Sequence, residues 1–153
     1  MALELSWSIE GSKELSRRLR NISASVSNLK TPFRKSARSL EKTYKNDVFR
    51  TRGAVIDTRW KRLSPKTLAY KARHGYGSKP LINTGKMRKS FRHKAAKDHA
   101  VIWNLSPYFK YHQSNKKPRS DLPRRVMMKL AERQRQMVVR TINTFLKESI
   151  SKK

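Results

Sequence analysis

Residues Ser90–Leu105, SFRHKAAKDHAVIWNL, decide the fold class. Two short runs, SFRHKAA and AVIWNL, flank the polar triplet Lys97, Asp98 and His99. The second run alternates and puts Val101, Trp103 and Leu105 on one face, the period of a half-buried strand. Two such runs joined by a short charged connection predict an antiparallel hairpin. The alternation also predicts Trp103 as a core residue of the sheet.

On the N-terminal side the periodicity changes. LELSWSI alternates again, with Leu3, Leu5, Trp7 and Ile9 on one face, and predicts another strand with Trp7 in the core. Gly11 ends it, and Ser12 can cap a helix whose Leu15, Leu19, Ile22, Val26 and Leu29 fall at steps of three and four. Thr31 and Pro32 read as cap and first residue of a long second helix to about Arg52, stopped by Gly53. Its apolar stripe is Phe33, Ala37, Leu40, Tyr44 and Val48. Ser64 and Pro65 repeat the cap-then-proline signal for a short helix to Arg73, anchored by Trp60, Leu63 and Leu68. Gly75, Gly77 and Pro80 then predict an irregular loop, and Thr84-Gly85 a turn into a helical turn over Lys86–Lys89.

Beyond the hairpin, a last helix is expected from near Pro123 to about Ser149. Its stripe contains Met127, Leu130, Met137, Val138, Thr141, Ile142, Phe145 and Leu146. The expected architecture is α+β: a small antiparallel sheet packed with long amphipathic helices in a single domain spanning 1–153. Residues 54–85 form a structured connector and 113–121 a basic loop.

Composition narrows the function. The chain of 153 residues holds 38 Lys and Arg against 10 Asp and Glu, a formal charge of +28 spread along its whole length. Such a chain repels itself and seeks polyanions or acidic protein surfaces. Its apolar fraction of 36% and mean hydropathy of −0.85 suit a subunit that completes its packing against partners. Cysteine is absent, which excludes disulfides and thiolate metal sites. No apolar run approaches the ~20 residues of a membrane span, and MALELSWSIEGSK has no basic start for a secretory signal, so synthesis in the cytoplasm is expected.

Catalytic signals are weak. His74, His93, His99 and His112 show no HExxH or other ligand spacing, and the acids are scattered, so neither a metal centre nor a nuclease is expected. HGYGSK, His74–Lys79, lacks the phosphate-binding GxxxxGK[ST] spacing and is read as a loop needing backbone freedom. No cofactor is expected. Arg34, Lys35, Arg38, Lys42 and Lys45, on the polar face of the second helix, are candidates for contact with phosphates or an acidic partner, together with Lys116 and Lys117 of the basic loop. No base-reading motif accompanies them, so contact with nucleic acid would be non-specific.

Three further pieces carry a resemblance. RWKRLSPKTLAYKARHGYGSKPLINTGKMRKSF holds a tryptophan, Leu-Ser-x-x-Thr-Leu, a lysine and then Pro-Leu-x-x-Thr-Gly ahead of Ser90. YFKYHQ holds Tyr108, His112 and Gln113, and LPRRVMM holds Pro123 and Arg125. In this order they resemble the phage virion morphogenesis proteins, also described as tail completion or head–tail joining proteins, over about residues 44–150. The chain departs from that pattern at Asp57-Thr58-Arg59, at Ser114 and Asn115, and at Arg124 and Val126.

The resemblance implies a non-enzymatic structural subunit of the virion. It would sit in a ring, often sixfold, at the neck or tail end, beside connector or tail proteins and the DNA channel. It further implies that Tyr108, His112, Gln113, Pro123 and Arg125 shape a loop and helix start that face another subunit. A basic protein binding nucleic acid by charge alone is the alternative.

Overall fold

The computed structural model describes residues 12–114 and 123–151. The strand expected over 3–9, with Trp7, and the loop residues Lys116 and Lys117 lie outside the described residues.

The elements run α1 (Ser12–Ser27), α2 (Lys30–Lys42), a π-helical turn (Thr43–Asp47), α3 (Val48–Arg50), a 3₁₀ turn (Ala54–Ile56), α4 (Pro65–Arg73), α5 (Lys86–Lys89), β1 (Phe91–Ala95), β2 (Ala100–Asn104), α6 (Phe109–Gln113) and α7 (Glu132–Ser151). The fold is α+β: among the described residues, a two-stranded antiparallel sheet packed on one face by helix.

The second helix starts differently from expectation. It begins at Lys30, with Leu29 in the cap position and no side-chain cap bond, and Pro32 lies inside its first turn. The Phe33 amide donates to Leu29 O at 3.0 Å, and the Asn28 Oδ1 accepts from the Lys30 amide at 3.3 Å. Helical backbone continues through the π turn, so Ala37, Leu40, Tyr44 and Val48 all bury, as the stripe requires. Gly53 then stops it at φ +82°. A Cβ there would stand 2.1 Å from Thr58 O and 2.7 Å from Trp60 Nε1, so only glycine fits.

The hairpin pairs Phe91 with Asn104, His93 with Ile102 and Ala95 with Ala100 on one face, and Arg92 with Trp103 and Lys94 with Val101 on the other. The helix α2 covers the first face. Phe91 and Ile102 therefore point inward, and the Val101–Trp103–Leu105 face points out. Trp103 is 38% exposed rather than a core residue. Alternation locates the two faces of a strand but not which one is covered. Fully buried Phe91, a side chain whose burial contributes about 2–3 kcal/mol, sets the choice.

The core gathers Leu40, Tyr44, Val48, Phe49, Ile56, Trp60, Phe91 and Met127. Phe49 meets Trp60 edge-on at 5.4 Å, and Phe91 meets Phe109 edge-on at 5.8 Å. Such aromatic edges fix relative orientation as well as burying area. The junction of α1 and α2 is tied to the hairpin turn by the Leu29 amide, which donates to Lys97 O at 2.9 Å. Meanwhile α7 packs against both α1 and α2.

The last helix begins at Glu132, not near Pro123. Residues 123–130 are not helical, and backbone groups of Val126, Met127, Met128 and Lys129 are held by side chains from elsewhere. Met127 is fully buried in the core from that irregular stretch, while Leu130 is exposed. Among the described residues no helix is long and apolar enough to cross a membrane.

Candidate functional site

The residues of the three sequence motifs meet at one place. Trp60 is buried and its Nε1 donates to Val126 O at 2.7 Å. Arg125 is 5% exposed, and its Nε and Nη2 donate to Lys61 O at 3.3 and 3.2 Å. Gln113 closes the triangle. Its Oε1 accepts from the Met127 and Met128 amides at 3.0 and 3.1 Å, and its Nε2 donates to Met128 O at 2.5 Å. These bonds keep the segment out of a helix, because a backbone already paired to side chains gains nothing from a helical ladder. Gln113 and Arg125, expected to face another subunit, make their described bonds within their own chain.

The connector is built on α4. Ser64 caps it as expected: its Oγ accepts from the Thr67 amide at 3.2 Å, and Pro65 occupies the first turn. Its anchor is different. Leu68 is 39% exposed, Leu63 is half-buried, and the buried residue of α4 is Lys71, at 4% exposure. The Lys71 Nζ donates to Lys79 O at 3.1 Å, Ile82 O at 2.5 Å and Asn83 Oδ1 at 2.7 Å. All three ammonium protons are thereby used to pin the glycine-containing loop back onto α4. Hydrophobic periodicity has no way to signal a lysine in this role.

Gly85, at φ +75°, turns the chain into α5. Asn104 Nδ2 donates to Met87 O and its Oδ1 accepts from the Ser106 amide, both at 2.8 Å, which joins the end of β2 to α5.

Between these parts lies a cleft of about 560 Å³, lined by residues that include Leu63, Tyr70, Lys71, Leu81, Thr84, Lys86, Met87, Ser106, Tyr108, His112 and Arg125. Both sequence motifs around Leu63–Gly85 and the pair Tyr108–His112 contribute. Among the described residues the lining carries no carboxylate. Burial pushes the Lys71 ammonium and the Arg125 guanidinium below their ordinary pKa values. Burial, and then the Arg125 charge, push the His112 imidazole down as well. The two buried cations are satisfied by neutral oxygens, Lys71 by Lys79 O, Ile82 O and Asn83 Oδ1 and Arg125 by Lys61 O, so the cleft carries positive charge without an ion pair among the described residues. Pro123 is half-buried at the edge of the described segment, and Tyr108 is exposed on the cleft rim.

The basic face is a separate surface. Lys35, Arg38, Lys42 and Lys45 line one groove together with Glu41 and His93, and His93 Nδ1 contacts Glu41 Oε2 there. Lys35 also lines a second groove, where α7 contributes Arg133 and Arg140. Arg34 is exposed but lines neither groove. The two α7 arginines extend the basic surface and were not singled out from sequence, where only the packing stripe of that helix stands out. Among the described residues no three His, Asp or Glu side chains gather where they could hold a metal ion.

No curated protein and no solved structure matches the chain. The sequence pattern of the phage virion morphogenesis family does match it, over residues 11–147. That span takes in α1, the connector, the hairpin and most of α7, and with them each motif residue that meets at the cleft: the chain belongs to the phage virion morphogenesis family.

Proposed function

We propose that the chain is a structural, non-catalytic subunit of a tailed-phage neck, acting in tail completion and head–tail joining as part of a homo-oligomeric ring, sixfold in its simplest form. The family match over residues 11–147 carries this reading. Support comes from the way the motif residues are used: they sew the connector, α6 and the segment ahead of α7 around one cleft instead of assembling reactive groups. A single heterologous interface repeated around an axis closes into a ring without any second contact type.

The test is electron microscopy of particles made without this protein. Filled heads and separate tails are expected, with full complementation by the wild-type chain. Normal joined particles in its absence would overturn the reading.

A second reading has its own observation. Lys35, Arg38, Lys42 and Lys45 share one groove, and Arg133 and Arg140 continue the charge across α7. This surface suits a sequence-independent contact with a phosphate backbone, as DNA crossing the neck would offer. Duplex binding measured across a salt series tests it, with a steep linear fall of log K against log salt expected. Absence of binding at low salt would remove it.

A further inference from the structure

The cleft is cationic among its described residues, and one stretch of the chain complements it. Residues 1–12, MALELSWSIEGS, contain Glu4 and Glu10 and no Lys or Arg, in a chain of net charge +28. Most other carboxylates are engaged near home. Glu14 pairs with Arg17 and Arg18, Asp47 with Arg50, Asp98 with His99, Glu41 contacts His93, and Glu132 accepts from Gln136. The same acidic stretch carries Leu3, Leu5, Trp7 and Ile9, and the cleft offers Leu63, Leu81 and Met87 beside its cations. Charge and apolar character therefore match together.

We propose that the cleft is the receptor for the acidic segment Met1–Gly11 of a second copy, whose carboxylates approach Lys86 and Arg125 while its apolar side chains cover the leucines. This deepens the ring reading and rests on it. The donor and acceptor surfaces differ, so each copy gives a segment and receives one, the head-to-tail contact from which rings close.

A neighbour's cleft is favoured over the segment's own because a ring sets each copy against the next. Duplex phosphate is a poorer occupant, because Arg125 lies at the bottom, 5% exposed. A side-chain carboxylate on a single chain segment can descend to it, whereas a phosphate on the convex surface of a duplex stays outside.

The absence of cysteine makes a disulfide test clean. Full-length Glu4→Cys and full-length Tyr108→Cys, Tyr108 being on the exposed cleft rim, are mixed and oxidised. A heterodimer is expected in at least tenfold excess over that formed by Glu4→Cys with Ser23→Cys, an exposed position on α1. The double variant Glu4→Cys/Tyr108→Cys is expected to give a ladder of covalent oligomers. Independently, Glu4→Lys/Glu10→Lys should weaken self-association at least tenfold by sedimentation, and Lys86→Glu should restore part of it. Only intrachain disulfides would overturn the proposal, as would heterodimer no better than the control, or self-association indifferent to these charges. The last result would leave the ring reading standing, while joined particles without the protein would remove the ring reading itself. Duplex DNA that blocks the disulfide would reassign the cleft to phosphate and overturn the proposal.

Discussion

At Gly53 the chain turns at φ +82° with Thr58 O where a side chain would start, so the position tolerates no Cβ. Gly53→Ala is expected to destabilise by about 3 kcal/mol, from left-handed strain and overpacking together, measured by urea unfolding. An unchanged midpoint would mean that the Gly53–Trp60 turn is loose. His112 sets a pH response of definite sign. Burial and the Arg125 charge lower its folded pKa below 6.5, so the unfolded chain takes up the proton first on acidification. Stability is therefore full above the ordinary histidine range, falls as the pH drops below about 6.5, and levels off beneath the lowered value. His112→Gln is expected to remove that fall, as checked by thermal unfolding from pH 7.5 to 4.5. Of these two residues the glycine was legible as a helix stop, whereas the environment of His112 depends on Arg125, thirteen positions away, and on a cleft that local pattern does not encode.

Among the elements, those stabilised by their own periodicity and caps appear where the sequence puts them. The stripe of α2, the Ser64 cap of α4 and the hairpin at Ser90–Leu105 are of this kind. Two misreadings share a cause, a distant partner that overrides the local pattern. Residues 123–130 read as helix but are kept out of it by Trp60, Lys61 and Gln113, and Trp103 reads as core although Phe91 fills that side. Lys71 gives no apolar signal, yet it is buried and bonds three oxygens of the loop it faces. Gln113→Ala tests the first of these. It strands the buried amides of Met127 and Met128, at a cost of about 2–3 kcal/mol. Hydrogen exchange at those two amides is expected to accelerate more than exchange in α2. Equal protection before and after would show that the segment is held by packing alone.

For the whole molecule, the charge of +28 is concentrated by the fold into two different uses. The grooves along α2 and α7 present exposed cations, and the motif cleft buries Lys71 and Arg125 against neutral oxygens. The triple change Lys35→Gln/Arg38→Gln/Lys42→Gln is expected to leave stability within about 0.5 kcal/mol, as surface substitutions do. It should also make the log K versus log salt slope for duplex DNA shallower by about 2–3, near 0.9 for each lost phosphate contact. An unaltered slope would assign the DNA contact elsewhere. Family membership establishes a part in phage virion morphogenesis, and the place in the particle is the central claim. Its most direct measurement is cryo-electron microscopy of the intact particle, resolved at the neck. The expected map holds this chain in a closed ring between connector and tail, with the α2 face toward the channel and each cleft against the next copy. Density for this chain absent from the neck, or present only as isolated copies elsewhere in the particle, would contradict the account.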